Sequence, residues 1–450
     1  MTQPDFSSRR TGRKEMVKPN FVVIYADDLG YGDLGCYGSD VIQTPHLDQL
    51  AAQGARFTQW YSNCPVCSPS RAALLTGRYP VRTGITSILG GRRTTPGLPA
   101  REVTVAKHLQ TLGYTTGIMG KWHLGVAPAS RPNAHGFTEF FGFLAGAVDY
   151  YSHIYYYGLP GGIDPIHDLW HNEQEVWWNG QYLTELLTER AVQFIEHHAG
   201  QPFFLYLPYN APHWPMHAPK SYLERFRELP AERRIMAAMI AAMDDGVGAV
   251  LDALARTGCA EDTLVFFSSD NGPSAEARNF LDGQEDPYYG GSAGIFQGYK
   301  YSLFEGGIRE PAILRYPARV SAGQVCEQVG MMVDLYPTLI HLAGGTPPQD
   351  RLLDGYDILP MVTEGASIPP RQIFWEYAGQ LAVRQGNWKL ILNGRLDGER
   401  LAPDVVHLSD LDHDPAERMN LKDQYPQLVA QLKRDVEAWY QGCLLHTAQE

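Results

Sequence analysis

The chain has 450 residues, 44% of them hydrophobic, and a formal net charge of −13. That length suits two domains, or one large and one small, with the ordinary apolar content of a globular protein. The acidic balance argues against general nucleic-acid binding, and no apolar run of about 18 residues exists to form a transmembrane helix.

The predicted elements begin after a basic tail, residues 1–18, which reads as disordered. Its paired Arg9-Arg10 precede no apolar segment before Val17, so a signal peptide is not expected and the location reads as cytoplasmic, with export by an unrecognised route left open. Phe21 to Ala26 is a buried strand ending at Asp27-Asp28. Leu47 to Ala55 is a helix with Thr44 and Pro45 near its start. In Cys67-Ser68-Pro69-Ser70-Arg71, Ser68 suits an N-cap and Pro69 the first helical position, so Arg71 to Leu75 read as the first helical turns. Residue 67 would then sit just before a helix N-terminus, where free N–H groups favour an anion. Val103 to Leu112 is a helix, and Thr115 to Met119 a strand leading into Gly120-Lys121-Trp122-His123. Leu183 to His197 and Arg234 to Arg256 are helices; Phe203 to Leu207, Thr263 to Phe267 and Ala312 to Arg315 are strands.

Two stretches interrupt this alternation, Ala145 to Gly180, rich in Tyr, Trp and His, and Asn279 to Gln297, rich in Gly and acid. Both read as long loops over a site. The aromatic stretch suits stacking on a sugar or aryl ring. Ile368-Pro369-Pro370 divides a main body, residues 19–365, from a C-terminal part, residues 366–450. In that part four short strands (Ile373 to Tyr377, Leu381 to Arg384, Trp388 to Leu392, Val406 to Leu408) precede a helix from Tyr425 to Tyr440. The alternation predicts an α/β fold with a large, mostly parallel sheet flanked by helices, and a small antiparallel sheet plus helix at the C-terminus. The six scattered cysteines fit a reducing compartment. Cys64-Pro65-Val66-Cys67 lacks the second pair or nearby histidines that a zinc or redox site needs.

The polar motifs share a position. Asp27-Asp28, Lys121 with His123, His213, and Asp270-Asn271 follow four separate strands, and in open α/β sheets ligands bind beyond the carboxyl ends of strands. Asp27, Asp28, Asp270 and Asn271 offer hard oxygen ligands, which points to calcium, with magnesium as the alternative. Taken singly, each acidic pair is an ordinary turn sequence with capping side chains.

Cys67-x-Pro69-x-Arg71 with Leu75-Thr76-Gly77-Arg78 resembles the signature of the type I sulfatases. Asn20 to Asp33, Gly120-Lys121-Trp122-His123, Ala211-Pro212-His213-Trp214-Pro215, Lys300 with Glu305 to Pro311, and Leu408 to Leu411 with Asp414 to Glu417 resemble further motifs of that family, in order. The resemblance, which runs over roughly residues 19 to 440, implies an alkaline-phosphatase-like core and hydrolysis of an aryl or carbohydrate sulfate monoester. It implies that Cys67 is converted by a formylglycine-generating enzyme to formylglycine, whose hydrate attacks sulfur, and that a metal is held by Asp27, Asp28, residue 67, Asp270 and Asn271. Asp270 would assist deprotonation of the attacking hydroxyl, and His213 or Lys300 would protonate the leaving oxygen. His123 would take the proton of the second hydroxyl, and Arg71, Lys121 and Lys300 would neutralise the sulfonate. The chain departs from the pattern at Ala145-Gly146-Ala147, where many relatives place a serine near the catalytic Lys and His. Two alternatives stay open: a phosphodiester or phosphonate monoester hydrolase of the same superfamily, and a non-catalytic protein that binds an anionic sugar with Cys67 unconverted.

Overall fold

The computed structural model describes residues 18–155, 165–276 and 290–449. Residues 1–17 of the tail expected over 1–18, Tyr156-Tyr157, and residues 279–289 of the acidic loop lie outside them. In chain order the strands are β1 (Asn20–Ala26), β2 (Ala55–Tyr61), β3 (Thr115–Lys121), β4 (Glu139–Phe143), β5 (Ile154–Tyr155), β6 (Ile166–His167), β7 (Trp170–His171), β8 (Gln174–Glu175), β9 (Phe203–Pro208), β10 (Thr263–Ser269), β11 (Arg309–Arg315), β12 (Gln324–Cys326), β13 (Gly330–Met331), β14 (Gln372–Tyr377), β15 (Gln380–Gln385), β16 (Trp388–Leu392) and β17 (Val406–Asp410). The main sheet runs β12-β2-β11-β10-β1-β9-β3-β4-β7-β8, with β13 paired to β2. Its centre is parallel: β1 lies between β9 and β10, and β3 between β9 and β4. β11 is antiparallel to both β10 and β2.

The strand period of two explains the three layers. Val22, Ile24 and Ala26 of β1 face a core built with the helices Pro45–Ala52, Leu183–His198 and Ala231–Arg256. Phe21, Val23 and Tyr25 face a second core that holds Leu74 and Leu75 of the helix Cys67–Thr76 and Leu335, Leu339 and Ile340 of Leu335–Leu342. Burial on both faces is why β1 reads as a continuous apolar run. Gly120 has φ 142°, and a Cβ there would lie 2.0 Å from the Pro208 carbonyl oxygen, so glycine alone lets β3 close against the end of β9 just before Lys121.

Several expectations need correction. The helix expected over Leu47 to Ala55 is Pro45–Ala52, and Ala55 already opens β2, a strand the sequence reading did not anticipate. Ser68 is not the N-cap: the helix starts at Cys67, Val66 occupies the cap position, and Ser68 Oγ instead accepts from Leu89 N at 3.1 Å. Among its described residues, the aromatic stretch from Ala145 to Gly180 is a loop interrupted by short strands and partly packed into the core. It carries β5 to β8 and buries Tyr150, Tyr155, Leu169 and Trp170. The Tyr150 hydroxyl bonds to the carbonyls of Asn210 (2.7 Å) and His213 (2.9 Å), which turns the ring inward. Asp149 accepts from the backbone of Tyr151 and Ser152, a local turn.

β14-β15-β16-β17 form the antiparallel C-terminal sheet, packed on the helix Pro426–Gln449, which is longer than expected. A buried ionic cluster joins this sheet to the main body. Lys389 Nζ donates to Glu305 (2.8 Å) and lies 3.2 Å from Glu417; the Tyr61 hydroxyl and Arg309 also donate to Glu305, at 2.6 and 3.1 Å. Arg384 donates to the Tyr61 hydroxyl, and Trp375 Nε1 to the Ser62 carbonyl at 2.8 Å.

Candidate active site

The order β10-β1-β9-β3 places Asp270-Asn271, Asp27-Asp28, His213 and Lys121 beyond the C-terminal ends of four adjacent parallel strands. Cys67 is brought to this edge by the helix Cys67–Thr76, every residue of which is buried. Cys67 is 1% exposed and its burial pushes the thiol up, so little thiolate is available.

Charge pairing organises the floor of the site. Lys121 Nζ donates to Asp27 Oδ2 at 2.5 Å. Arg71 donates through Nε (3.0 Å) and a terminal nitrogen (2.7 Å) to Asp270 Oδ2, and that terminal nitrogen is 3.5 Å from Asp27 Oδ1. Asp270 Oδ1 accepts from Asp28 N at 3.2 Å. Asp28 accepts from Asn271 Nδ2 (2.7 Å) on one oxygen and from Lys300 Nζ (2.9 Å) on the other, with His213 Nε2 at 3.6 Å from the latter. Asp28 has φ 62°, a conformation Asp tolerates better than most side chains.

The electrostatics differ within the trio. Burial opposes ionisation of Asp27, yet Lys121, Arg71 and Lys300 together hold its carboxyl below the usual range. Burial pushes Asp28 up to about 7; Lys300 opposes that rise, and Asp27, Asp270 and Glu276 add to it. Burial and the charge of Asp27 raise Asp270. Three carboxylates and three cations share a dry edge, and not every oxygen there finds a donor. Asp27 Oδ1 and Asn271 Oδ1 are buried with no hydrogen-bond partner among the described residues. Single ligand atoms of Asp27, Asp28, Cys67 and His213 lie within 4.8 Å of one another. Orphaned oxygens among clustered carboxylates are what a hard divalent cation would satisfy. Of the donor set expected from sequence, Asp27, Asp28 and Cys67 come together with His213, while Asp270 Oδ2 is turned toward Arg71 and Asn271 Nδ2 toward Asp28.

Above this floor a cavity of about 230 Å³ is walled by Cys67, His123, His213 and Lys300 and by the aromatic rings of Tyr155, Trp214 and Tyr301. His123 Nε2 donates to the Leu89 carbonyl at 3.0 Å, and its Nδ1 is buried without a partner among the described residues. The tautomer this fixes leaves Nδ1 as the acceptor. Burial, with Lys121 adding, holds His123 far below the usual imidazole range. Gly146 explains the departure at Ala145-Gly146-Ala147: a Cβ there would lie 2.6 Å from His123 Nε2, so the bond a neighbouring hydroxyl could make is supplied by the Leu89 carbonyl instead. His213 Nδ1 donates to the Trp214 carbonyl at 2.5 Å, leaving Nε2 facing Asp28. Burial lowers His213, and Lys300 and Lys121 lower it further. Burial opposes the charge of Lys300, but Asp28 raises it well above its ordinary value.

One wall residue escaped the sequence reading. Glu276 follows the Asp270-Asn271-Gly272-Pro273 turn and has no motif around it. It accepts from Trp214 Nε1 (2.8 Å), Tyr301 OH (2.5 Å), Ser274 Oγ (3.2 Å) and Lys300 Nζ (3.3 Å). Of the described residues of the aromatic stretch, only Gly146, Ala147 and Tyr155 line the cavity.

Residues 19–345 match the family described as Sulfatase, and residues 291–441 the one described as N-sulphoglucosamine sulphohydrolase, C-terminal. The chain is 35% identical to arylsulfatase J of Mus musculus, covering 93% of this chain and 75% of that protein. It is 39% identical to N-acetylgalactosamine-6-sulfatase of Rattus norvegicus, covering 82% of this chain and 71% of the relative. Among solved structures, that of Ps i-CgsB in complex with k-i-k-neocarrahexaose aligns with a TM-score of 0.83 at 33% identity, covering 94% of this chain and 93% of that one. The family match over most of the chain and these relatives place it in the sulfatase family of the alkaline phosphatase superfamily, as a hydrolase of sulfate esters.

Proposed function

We propose that the protein hydrolyses the sulfate monoester of a carbohydrate, with residue 67 in the formylglycine form and one divalent cation, calcium, at the strand ends. The observation that carries this reading is the placement of Cys67 at a helix start, inside one cavity with Lys300, His123 and His213. Asp27, Asp28, Asp270 and Asn271 would hold the cation. Formylglycine would supply an oxygen nucleophile through its hydrate, and the cation would supply positive charge against the sulfonate and acidify the attacking hydroxyl. Conversion of Cys67 makes a formylglycine-generating enzyme an obligatory partner.

The remaining chemistry belongs to the side chains. Lys300 lines the cavity and would face the sulfonate oxygens, while Arg71 and Lys121 lie in the floor and would add fixed positive charge in a dry site, where such charge acts with little screening. Lys300 carries a proton and gives two of its three N–H bonds to carboxylates, which leaves one for the leaving oxygen. His213 can assist only as imidazolium, since its neutral tautomer has spent its N–H on Trp214, and burial beside Lys300 disfavours that form, so Lys300 is the principal donor. His123 Nδ1 accepts a proton at the opposite wall. Tyr155, Trp214 and Tyr301 offer ring faces to a sugar, and a cavity of this size takes one ring. The named substrate classes of the relatives support a carbohydrate.

Peptide mass spectrometry of active protein should find formylglycine at residue 67, and elemental analysis about one equivalent of calcium. Turnover of sulfated hexosamines should exceed that of the matching phosphate esters. Active protein with only unmodified Cys67, or preference for the phosphate, would overturn the reading.

A further inference from the structure

We infer that Glu276 is a positioning residue for leaving-group protonation, a single carboxylate that clasps both chain segments carrying the proton donors. The inference rests on the assignment of Lys300 and His213 to the leaving oxygen. Each of those residues has a neighbour in sequence bound to Glu276: Trp214 follows His213 and donates its indole N–H to Oε2 at 2.8 Å, and Tyr301 follows Lys300 and donates its hydroxyl to Oε1 at 2.5 Å. Lys300 Nζ itself reaches Oε2 at 3.3 Å. Without Glu276, Lys300 would be drawn toward Asp28 alone, at 2.9 Å and on the floor of the site, away from the cavity where the ester oxygen must lie.

The geometry around the clasp supports a fixed setting. Tyr301 holds φ 76°, a conformation that a side-chain-bearing residue keeps only when its surroundings determine it, and its hydroxyl bond to Glu276 is one such determinant. Glu276 is 11% exposed and lines the cavity beside Cys67. Ser274 Oγ donates to Oε2 and accepts from Glu276 N at 3.1 Å, which anchors the carboxylate to the turn that carries Asp270 and Asn271. Three loops from distant parts of the chain therefore meet on one side chain. Lys300 and His213 hold that carboxyl low against its burial, so it stays ionised across the working range.

Turnover of aryl sulfates from nitrophenol through phenol to methoxyphenol, by wild type and by Glu276→Gln, Glu276→Ala and Glu276→Asp, tests the clasp. Formylglycine content and thermal midpoint are measured on each protein. In wild type, protonation of the leaving oxygen flattens the dependence of kcat on phenol acidity. In Glu276→Gln and Glu276→Ala, kcat should fall by no more than about threefold for nitrophenyl sulfate but by about 10²-fold for the least acidic phenol, the lower end of what general-acid assistance supplies. KM should stay close to wild type, and Glu276→Asp should recover part of the loss. An equal loss across all the esters, or none, would overturn the assignment of Glu276. Wild-type protein bearing formylglycine that cleaved neither these esters nor a sulfated hexosamine would overturn the sulfate-ester reading beneath it.

Discussion

Two buried charge clusters in this protein are built from the same residue types and behave in opposite ways. At the strand ends, Asp27, Asp28 and Asp270 crowd Arg71, Lys121 and Lys300, and buried oxygens of Asp27 and Asn271 and a ring nitrogen of His123 are left without partners among the described residues. At the junction with the C-terminal sheet, Glu305, Glu417, Lys389, Arg309, Arg384 and Tyr61 bond to one another, and none of their buried side-chain oxygens and nitrogens is orphaned. A satisfied cluster of this kind specifies how two parts of a fold meet, whereas an unsatisfied one awaits a ligand. Burial alone does not separate the two; the accounting of partners does.

The contrast predicts separable losses. Cys67→Ala should abolish turnover and leave the thermal midpoint unchanged, because the side chain ends at a cavity wall; a midpoint lowered with activity retained would contradict it. Lys300→Ala should slow cleavage of a sulfated sugar by about 10² to 10⁴ and nitrophenyl sulfate far less, with His213→Ala changing in the same sense. Kinetics on the two substrates check this, and equal losses would place both residues on the sulfonate. Lys389→Met breaks the other cluster and should remove about 3–5 kcal/mol of stability by denaturant unfolding, with kcat of the folded fraction intact. Calcium added to chelated protein at a hundred times its Kd should stabilise it by about 2.7 kcal/mol. The Asp27→Asn, Asp28→Asn double variant should show no such gain in a melting experiment.

The smallest effect is a pH dependence of the junction. Burial pushes Glu417 from its ordinary 4.5 up to about 7, with Lys389 opposing and Glu305 adding; burial also acts on Glu305, but Lys389, Arg309 and Arg384 hold that carboxyl at about 2. Between pH 4.5 and 7 the folded chain therefore binds a proton on Glu417 that the unfolded chain has lost. Its contribution to stability falls as pH rises through that window and is level above it. Glu417→Gln should flatten this decline in melting curves taken from pH 5 to 8, and identical slopes for the two proteins would refute it.

How far the sequence reveals this follows from the kind of signal each feature leaves. β1, β9 and β10 are buried on both faces and read as apolar runs, β3 offers only Ile118 and Met119 beside its threonines and glycines, and the polar residues at the ends of these strands were legible as one edge. β2 was not, because Gly54 interrupts nothing in the helical pattern before it and Arg56, Thr58 and Gln59 break its apolar run. Ser68 and Pro69 promised a conventional cap, but Ser68 is claimed by Leu89. The aromatic stretch read as a loop because rings can either pack or stack, and only the partners of Tyr150 and Trp170 decide between them. Glu276 left no trace, since a lone acid gains meaning only from donors that arrive from other loops.

The contact between Gly146 and His123 also bears on how this site can change. With His123 tied to Leu89, position 146 is closed to any side chain, so a hydroxyl cannot enter there while the carbonyl holds the ring. The glycine and the ring setting are therefore coupled: any residue larger than glycine at 146 would have to displace His123 from the Leu89 carbonyl, and with it the placement of the ring in the cavity.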